Sequence, residues 1–167
     1  MLHPKIEVRG STISGQGLFA TVQIPQGEEI WRETEVTPTY SATEIGSWPE
    51  AEQKIFLEHA YQVGAGVWMG YRGTSEDLAM LMNHSCDPNT WFEGDRLMTA
   101  RRAITPGEEI TYDYSTSETE RLELNCRCRA ECCRGVLSSD YYQTPEFKRS
   151  YSGHMLSYIQ LVVDSKD

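Results

Sequence analysis

No stretch of this chain approaches the roughly 18 consecutive apolar residues that a membrane span requires, and none is low in complexity. Positive charge is scarce: 15 Lys and Arg stand against 25 Asp and Glu, a formal net charge of −10. A field of that sign repels a phosphate backbone and disfavours direct binding of DNA or RNA, whereas it attracts a cationic partner such as a Lys-rich peptide. No G-x-S-x-G surrounds Ser85, so a hydrolase triad is unsupported. Ser14-Gly15-Gln16-Gly17 has neither the third glycine nor the following helix of a dinucleotide-binding fingerprint. The first residues, Met1-Leu2-His3-Pro4-Lys5, lack the apolar core of a secretion signal, and the expectation is an intracellular setting, cytoplasm or nucleus, where thiols stay reduced. The cysteines themselves resist pairing, because five is an odd number and Cys132 and Cys133 are adjacent.

The 167 residues, 39% hydrophobic and 24% charged, fit one domain with a core of its own. Cys86 stands alone in Asn83-His84-Ser85-Cys86-Asp87-Pro88-Asn89, and the other four cysteines crowd into residues 126–133. Cys86 with a C-x-C-x4-C cluster supplies four soft ligands for one structural Zn²⁺, a closed site with no position left for water. Cys132 offers an alternative register, C-x-C-x3-C; the turn glycine in Cys133-Arg134-Gly135 favours Cys86, Cys126, Cys128 and Cys133 as the ligand set.

Residues 20–30 and 100–110 repeat each other as Ala-x3-Ile-x2-Gly-Glu-Glu-Ile, and each copy reads as strand, Pro/Gly turn, strand, which predicts two similar β-hairpins. Residues 18–24 read as strand. Ser47-Trp48-Pro49-Glu50 has the form of a capping box and predicts a helix to about Tyr61. A short helix is expected over 75–81, with Leu78 and Leu81 on one face. Residues 115–125 are polar and read as a mobile connection. Thr144-Pro145-Glu146 marks a helix start with Pro in its first position, and a last apolar stretch runs from about Met155 to Val163.

Tyr112 and Tyr114, two apart on a strand, would share one face about 6.6 Å apart with Asp113 on the other. Pattern alone favours two core tyrosines. The glycine loop 14–17 would let backbone approach a ligand, although by itself it reads rather as a β-turn. His84, His59 and His154 are candidate bases that pattern alone assigns to structural roles.

In this order the motifs resemble the SET domain of protein-lysine methyltransferases, followed by a post-SET zinc segment. Ser14-Gly15-Gln16-Gly17-Leu18-Phe19 is similar to the family's glycine loop, residues 83–89 to its N-H-S-C motif, Gly107-Glu108-Glu109-Ile110-Thr111-Tyr112-Asp113-Tyr114 to its catalytic strand, and residues 126–135 to its zinc segment. Met80-Leu81-Met82 stands where the family has Arg-Phe-Ile, and residues 68–73 fit poorly, so the cofactor contacts of 66–74 are not assigned. The resemblance implies a mostly β fold with short helices, small sheets around a pseudoknot, and a C-terminal helical extension. Its boundaries would be 1–117 for the SET domain with a variable insert at about 38–74, 118–137 for the zinc segment, and 138–167 for the extension. It implies S-adenosylmethionine as methyl donor, held by Gly15, Gln16, Gly17, Asn83, His84 (largely through main chain) and Tyr114. Tyr114 would be the catalytic tyrosine, and Tyr112 would occupy the position that limits methylation to one or two groups. The partner would be a protein or peptide with an accessible lysine, a basic tail such as a histone's being favoured. Oligomeric state is not legible. The alternative is a zinc-stabilised SET-fold binding module without catalysis, against which the intact Tyr112, Tyr114 and N-H-S-C residues weigh.

Overall fold

The computed structural model describes residues 1–34, 37–73, 78–120 and 122–165, apart from the side chain of residue 59. The first third holds β1 (Ile6–Gly10), β2 (Gln16–Ala20), β3 (Glu29–Arg32) and β4 (Thr39–Ser41), then α1 (Ala42–Gly46) and α2 (Glu50–His59). Next come β5 (Tyr61–Gly64), β6 (Val67–Met69), a 3₁₀ turn at Leu78–Leu81, β7 (Asn83–His84), β8 (Thr90–Phe92) and β9 (Leu97–Ala100). After β10 (Glu109–Tyr112) and a 3₁₀ turn at Tyr114–Thr116 follow β11 (Leu124–Asn125), β12 (Val136–Leu137), a third 3₁₀ turn at Tyr141–Gln143, α3 (Pro145–Tyr151) and α4 (Ser157–Asp164). Among the described residues these strands form four small sheets, ordered β1-β2-β10-β7, β3-β9-β8, β4-β6-β5 and β11-β12. Among the described residues no helix is long and apolar enough to cross a membrane.

The internal repeat builds the centre, but not as two hairpins. The copies pair with each other about Ile24 and Ile104, whose N–H groups each donate to the other's carbonyl at 2.9 Å. The turn glycines do the same: Gly107 N donates to Ala20 O at 2.7 Å and Gly27 N to Ala100 O at 2.8 Å. Gly27 and Gly107 hold φ of 82° and 83°, a conformation open to glycine without strain. The strand before each turn therefore pairs with a strand of the other copy, β2 with β10 and β9 with β3. The repeated apolar positions, Ala20, Ile24, Ile30, Ala100, Ile104 and Ile110, are at most 1% exposed and join Leu18 in the main core. Each isoleucine buried this fully contributes about 1.5–3 kcal/mol of transfer free energy. The strand read over 18–24 ends at Ala20, where the chain leaves for its turn.

Local signals elsewhere were met or displaced. Thr144 caps α3 by accepting from Phe147 N, with Pro145 at its start, and the apolar stretch 155–163 forms α4. The capping box lies at Ser41 and Glu44, on α1, instead of at Ser47 and Glu50. Ser47 is already spent closing α1, its N–H and hydroxyl both donating to Glu44 O, so α2 starts from Pro49 with no side-chain cap and ends at His59. Of the helix expected over 75–81, residues 75–77 lie outside the described residues and Leu78–Leu81 form a 3₁₀ turn. Of the segment 115–125, the start is built into the protein: Ser115, Thr116 and Ser117 are 1% exposed, whereas Glu123, Leu124 and Asn125 are exposed. The polarity of that buried start serves hydrogen bonding inside the protein, which composition alone cannot distinguish from solvation.

Candidate active site

β7 and β10 run parallel, with Thr111 opposite Asn83 and Tyr112 opposite His84. So short a ladder needs help, and side chains provide it. Asn89 imitates a neighbouring peptide: its Oδ1 accepts from Thr111 N at 2.9 Å, and its Nδ2 donates to Glu109 O at 2.8 Å. Thr90 Oγ1 donates to Thr111 O at 2.9 Å. Segments 83–89 and 110–114 thus meet as the resemblance implied.

The glycine loop lies over this junction. Asn83 Nδ2 donates to Gln16 O at 2.9 Å, Ser14 O at 3.1 Å and Glu109 Oε1 at 2.7 Å, and Glu109 Oε2 accepts from Ser11 Oγ at 2.9 Å. A Cβ on Gly17 would lie 2.2 Å from Glu109 Oε1, so a larger residue there would push the carboxylate off its bonds with Asn83 and Ser11. In the first repeat copy the matching Glu29 pairs with Arg32 in solvent. The role of Glu109 was missed because the repeat made the two glutamates look equivalent.

Tyr112 ends β10, whereas Tyr114 opens the 3₁₀ turn, so the two are not strand neighbours as their spacing suggested. The turn still brings them together, with ring centroids 4.9 Å apart at 49°. Tyr114 donates through its hydroxyl to Met82 O at 3.1 Å, and its backbone N–H donates to His84 Nδ1 at 3.2 Å. That acceptance leaves the proton of neutral His84 on Nε2, facing Cys86 Sγ at 3.3 Å. Burial, only partly opposed by Asp113 and reinforced by Arg134, holds His84 down at about 4, so it is neutral at physiological pH. Burial pushes the Tyr114 phenol up to about 12 and Tyr112 further still. Both are neutral hydroxyls and not bases.

Two cavities meet at Tyr114. One, of about 360 Å³, lies between the glycine loop and the cysteine segment, walled by Ile13, Ser14, Asn83, His84, Asn125 and Cys126. The other, of about 340 Å³, is aromatic and thioether-lined, with Trp31, Tyr61, Met82, Phe92 and Tyr112, and Glu58 and Glu118 also line it. Tyr114 and Leu124 line both. Gly15, Gln16 and Gly17 sit beside the first cavity, whose wall on that side is Ile13 and Ser14. Residues 66–73 do not line it: Trp68 and Met69 are buried elsewhere, and Gly70 makes room for Phe56 and Ala60. His154 is remote, stacked on Trp91 at 3.5 Å, and the His59 side chain lies outside the described residues.

The thiols of Cys86, Cys126, Cys128 and Cys133 lie within 4.8 Å of one another. Cys86 and Cys126 sulfurs are 3.8 Å apart, the edge of about 3.8 Å that a tetrahedron with Zn–S of about 2.3 Å requires. Burial raises Cys86 and Cys126, while N–H groups of Cys86 and Ala130, working against burial, draw Cys128 down to about 7. Thiols this close do not all ionise without a cation among them, and the donor set fits a four-thiolate zinc ion. Cys132 is exposed and points its thiol to Cys86 O at 3.5 Å.

A second set of contacts escaped sequence reading. Asp113, 2% exposed, accepts from Arg134 Nη2 at 2.8 Å, from Ser115 N at 3.0 Å and from the Tyr151 hydroxyl at 3.1 Å. Arg134 also donates its backbone N–H to Cys86 Sγ at 3.4 Å and lies over the Tyr141 ring. An Asp held between two site tyrosines and an Arg beside a metal-ligand cysteine were the available signal.

Comparison with known proteins addresses the same residues. The family description that matches, over residues 15–115, is the SET domain. The histone-lysine N-methyltransferase ATX2 of Arabidopsis thaliana is 31% identical over 144 residues, covering 77% of this chain and 12% of that protein. Histone-lysine N-methyltransferase 2B of Homo sapiens is 31% identical over 150 residues, covering 80% and 5%. Among solved structures, KRYPTONITE in complex with mCHG DNA and SAH superposes with a TM-score of 0.60 at 21% identity, over 81% of this chain and 29% of that one. A second KRYPTONITE structure, with mCHH DNA, an H3(1-15) peptide and SAH, gives a TM-score of 0.57 at 20% identity. The chain thus spans only a small part of the relatives it matches. Since the matched span runs from the glycine loop through the parallel β7–β10 junction to the Tyr114 turn, the chain belongs to the SET-domain family.

Proposed function

We propose that the chain transfers methyl groups from S-adenosylmethionine to a lysine side chain of a protein or peptide. The observation that carries this reading is the pair of cavities meeting at Tyr114. One offers polar backbone and the Asn83–His84 segment to a methyl donor, and the other offers an aromatic channel to an alkylamine. The names of the relatives, and the SAH and histone peptide in the KRYPTONITE titles, support it.

The chemistry follows from the channel. A lysine amine has a pKa near about 10.4 and reaches neutral pH as an ammonium. Glu58 and Glu118 attract that cation, and the apolar walls beyond them, next to the donor's positive sulfonium, disfavour it, so a proton is shed to solvent. The neutral nitrogen then attacks the methyl carbon in line, the N–C bond forming as the S–C bond breaks, which leaves methylated ammonium and S-adenosylhomocysteine. Most of the acceleration is alignment of the two reactants across Tyr114. A zinc ion held by Cys86, Cys126, Cys128 and Cys133 supplies no chemistry to this step and serves as a staple. Residues 1–117 would act as the catalytic part, with 38–74 as insert, 118–137 as the zinc segment and 138–167 as an extension. The acidic surface suits a basic tail, and an intracellular setting, nuclear for a histone substrate, follows from that reading.

The direct test is transfer of labelled methyl from the donor to histones and to free lysine peptides. A protein that binds the donor and transfers nothing would overturn the reading in favour of a binding module. Tyr112 sets the extent. Its phenol, 4.9 Å from Tyr114 by ring centroid, takes space that a bulkier methylated amine needs. Tyr112→Phe should shift products from mono- and dimethyl-lysine toward higher states, read by mass spectrometry; an unchanged distribution would remove Tyr112 from this role.

A further inference from the structure

The segment from Ser138 to Ser165 lies beyond the residues matched to the family and has an apolar cluster of its own, Phe147, Tyr151, Met155, Ile159 and Val163. Packing alone would ask nothing more of it. Yet it sends three donors into one five-residue stretch, Asp113 to Ser117. The Tyr151 hydroxyl reaches Asp113 Oδ2 at 3.1 Å, Leu156 N reaches Thr116 O at 3.0 Å, and the Tyr158 hydroxyl reaches Ser117 O at 2.8 Å. A phenylalanine at 151 or 158 would fill the same space, so the hydroxyls are what address the stretch.

That stretch carries Tyr114 and touches Tyr112. Asp113 caps the turn through Ser115 N, and Thr116 Oγ1 donates to Asp113 O at 2.6 Å. The Ser117 hydroxyl lies 3.4 Å from both the Tyr112 hydroxyl and the Tyr114 carbonyl oxygen. Its single proton serves one of them at a time. When it goes to Tyr112, the phenol's own proton is left to face the channel. A displacement of Ser117 is therefore felt where the amine would sit.

We propose that the C-terminal segment 138–165 is a positioning element of the channel, in which Tyr151 and Tyr158 fix the Tyr114 turn and Ser117 passes that constraint to Tyr112, so that the segment sets how far methylation proceeds. The catalytic part of this inference rests on the methyltransferase reading, whereas the positioning part does not.

The test uses the full chain with Tyr158→Phe, Tyr151→Phe and Ser117→Ala, and with Leu161→Ala as control, since Leu161 is 70% exposed on α4. Tyr158→Phe and Tyr151→Phe should lower amide-exchange protection of Thr116, Ser117 and Glu118, whose N–H groups are bonded within the turn, and leave β2 and β9 unchanged. In the active enzyme, Tyr158→Phe and Ser117→Ala should raise the ratio of higher to monomethylated product by about threefold, the scale of one weak hydrogen bond. Ser117→Thr, which keeps the hydroxyl, should keep the native ratio, and Leu161→Ala should change neither readout. Unchanged protection in both Tyr→Phe variants overturns the inference whatever the activity. Lost protection with an unchanged product ratio in an active enzyme overturns it as well. If the native chain transfers no methyl group, the methyltransferase reading fails, and the exchange result alone decides whether the segment positions the turn.

Discussion

Cys86→Ser is expected to remove bound zinc, weaken donor binding and stop methyl transfer together, while leaving the central sheets folded. Cys86 lies two residues beyond His84, which with Asn83 walls the first cavity, so the residue that ties down the cysteine segment belongs to the same short run as that wall. It gives its N–H to Cys128 Sγ at 3.5 Å and accepts Arg134 N at 3.4 Å, and Arg134 in turn reaches Asp113. Without the staple, Asn125 and Cys126 lose their reason to stay over the first cavity, and Leu124 over both. The centre built from Ile24, Ile30, Ile104 and Ile110 makes no use of the thiols, which is why the fold should survive. Structural zinc contributes on the order of 10 kcal/mol or more to small zinc modules, so loss of a ligand should release the ion outright. Metal analysis should find one zinc per chain in the native protein and none after Cys86→Ser or chelation. Donor affinity, by calorimetry, should fall by about 10–100-fold. Cys133→Ser should behave like Cys86→Ser, whereas Cys132→Ser should keep its zinc. Equal zinc loss from Cys132→Ser and Cys133→Ser would overturn the choice of ligands.

The parts of this site legible in the sequence were those that chemistry restricts to few residue types. Four thiols at metal-ligand spacing stood out on their own, whereas the glycine loop and the two tyrosines beside an Asp became legible only through the motifs that accompany them. What stayed hidden was long-range and ordinary in composition. Ser115, Thr116 and Ser117 read as solvated because hydroxyls are common in loops, and only the tertiary fold shows that the C-terminal segment supplies their partners. Gln62 is fully buried between Thr119 N and Glu120 Oε1, joining β5 to the stretch after Tyr114, and nothing local marks it. The repeat was visible, but its pairing was not. A turn flanked by two strands looks like a hairpin in one dimension, and the crossing of β2 with β10 and β9 with β3 depends on two isoleucines 80 residues apart finding one another.

Tyr114→Phe should have the opposite signature to Tyr112→Phe, loss of rate without a change of product. Because the Tyr114 hydroxyl gives its proton to Met82 O, its oxygen lone pairs are left for the point where the two cavities meet. There they can accept from the reacting amine and from the C–H bonds of the transferring methyl group, contacts worth about 0.5–1 kcal/mol each. Those contacts alone account for a modest part of the effect. The larger part is alignment, since loss of the Met82 bond frees the ring that separates donor from acceptor, and misplacement on that scale costs about a hundredfold in rate. The expected result is a kcat about a hundredfold lower with donor affinity within a few-fold of native. With its pKa pushed up to about 12, Tyr114 stays protonated throughout the working range and takes no proton from the substrate. The native kcat/KM should therefore climb with pH as the lysine amine itself deprotonates, and Tyr114→Phe should run parallel and lower. Turnover near native, or a pH profile that changes shape in the variant, would show that Tyr114 is not the residue that holds the reactants in line.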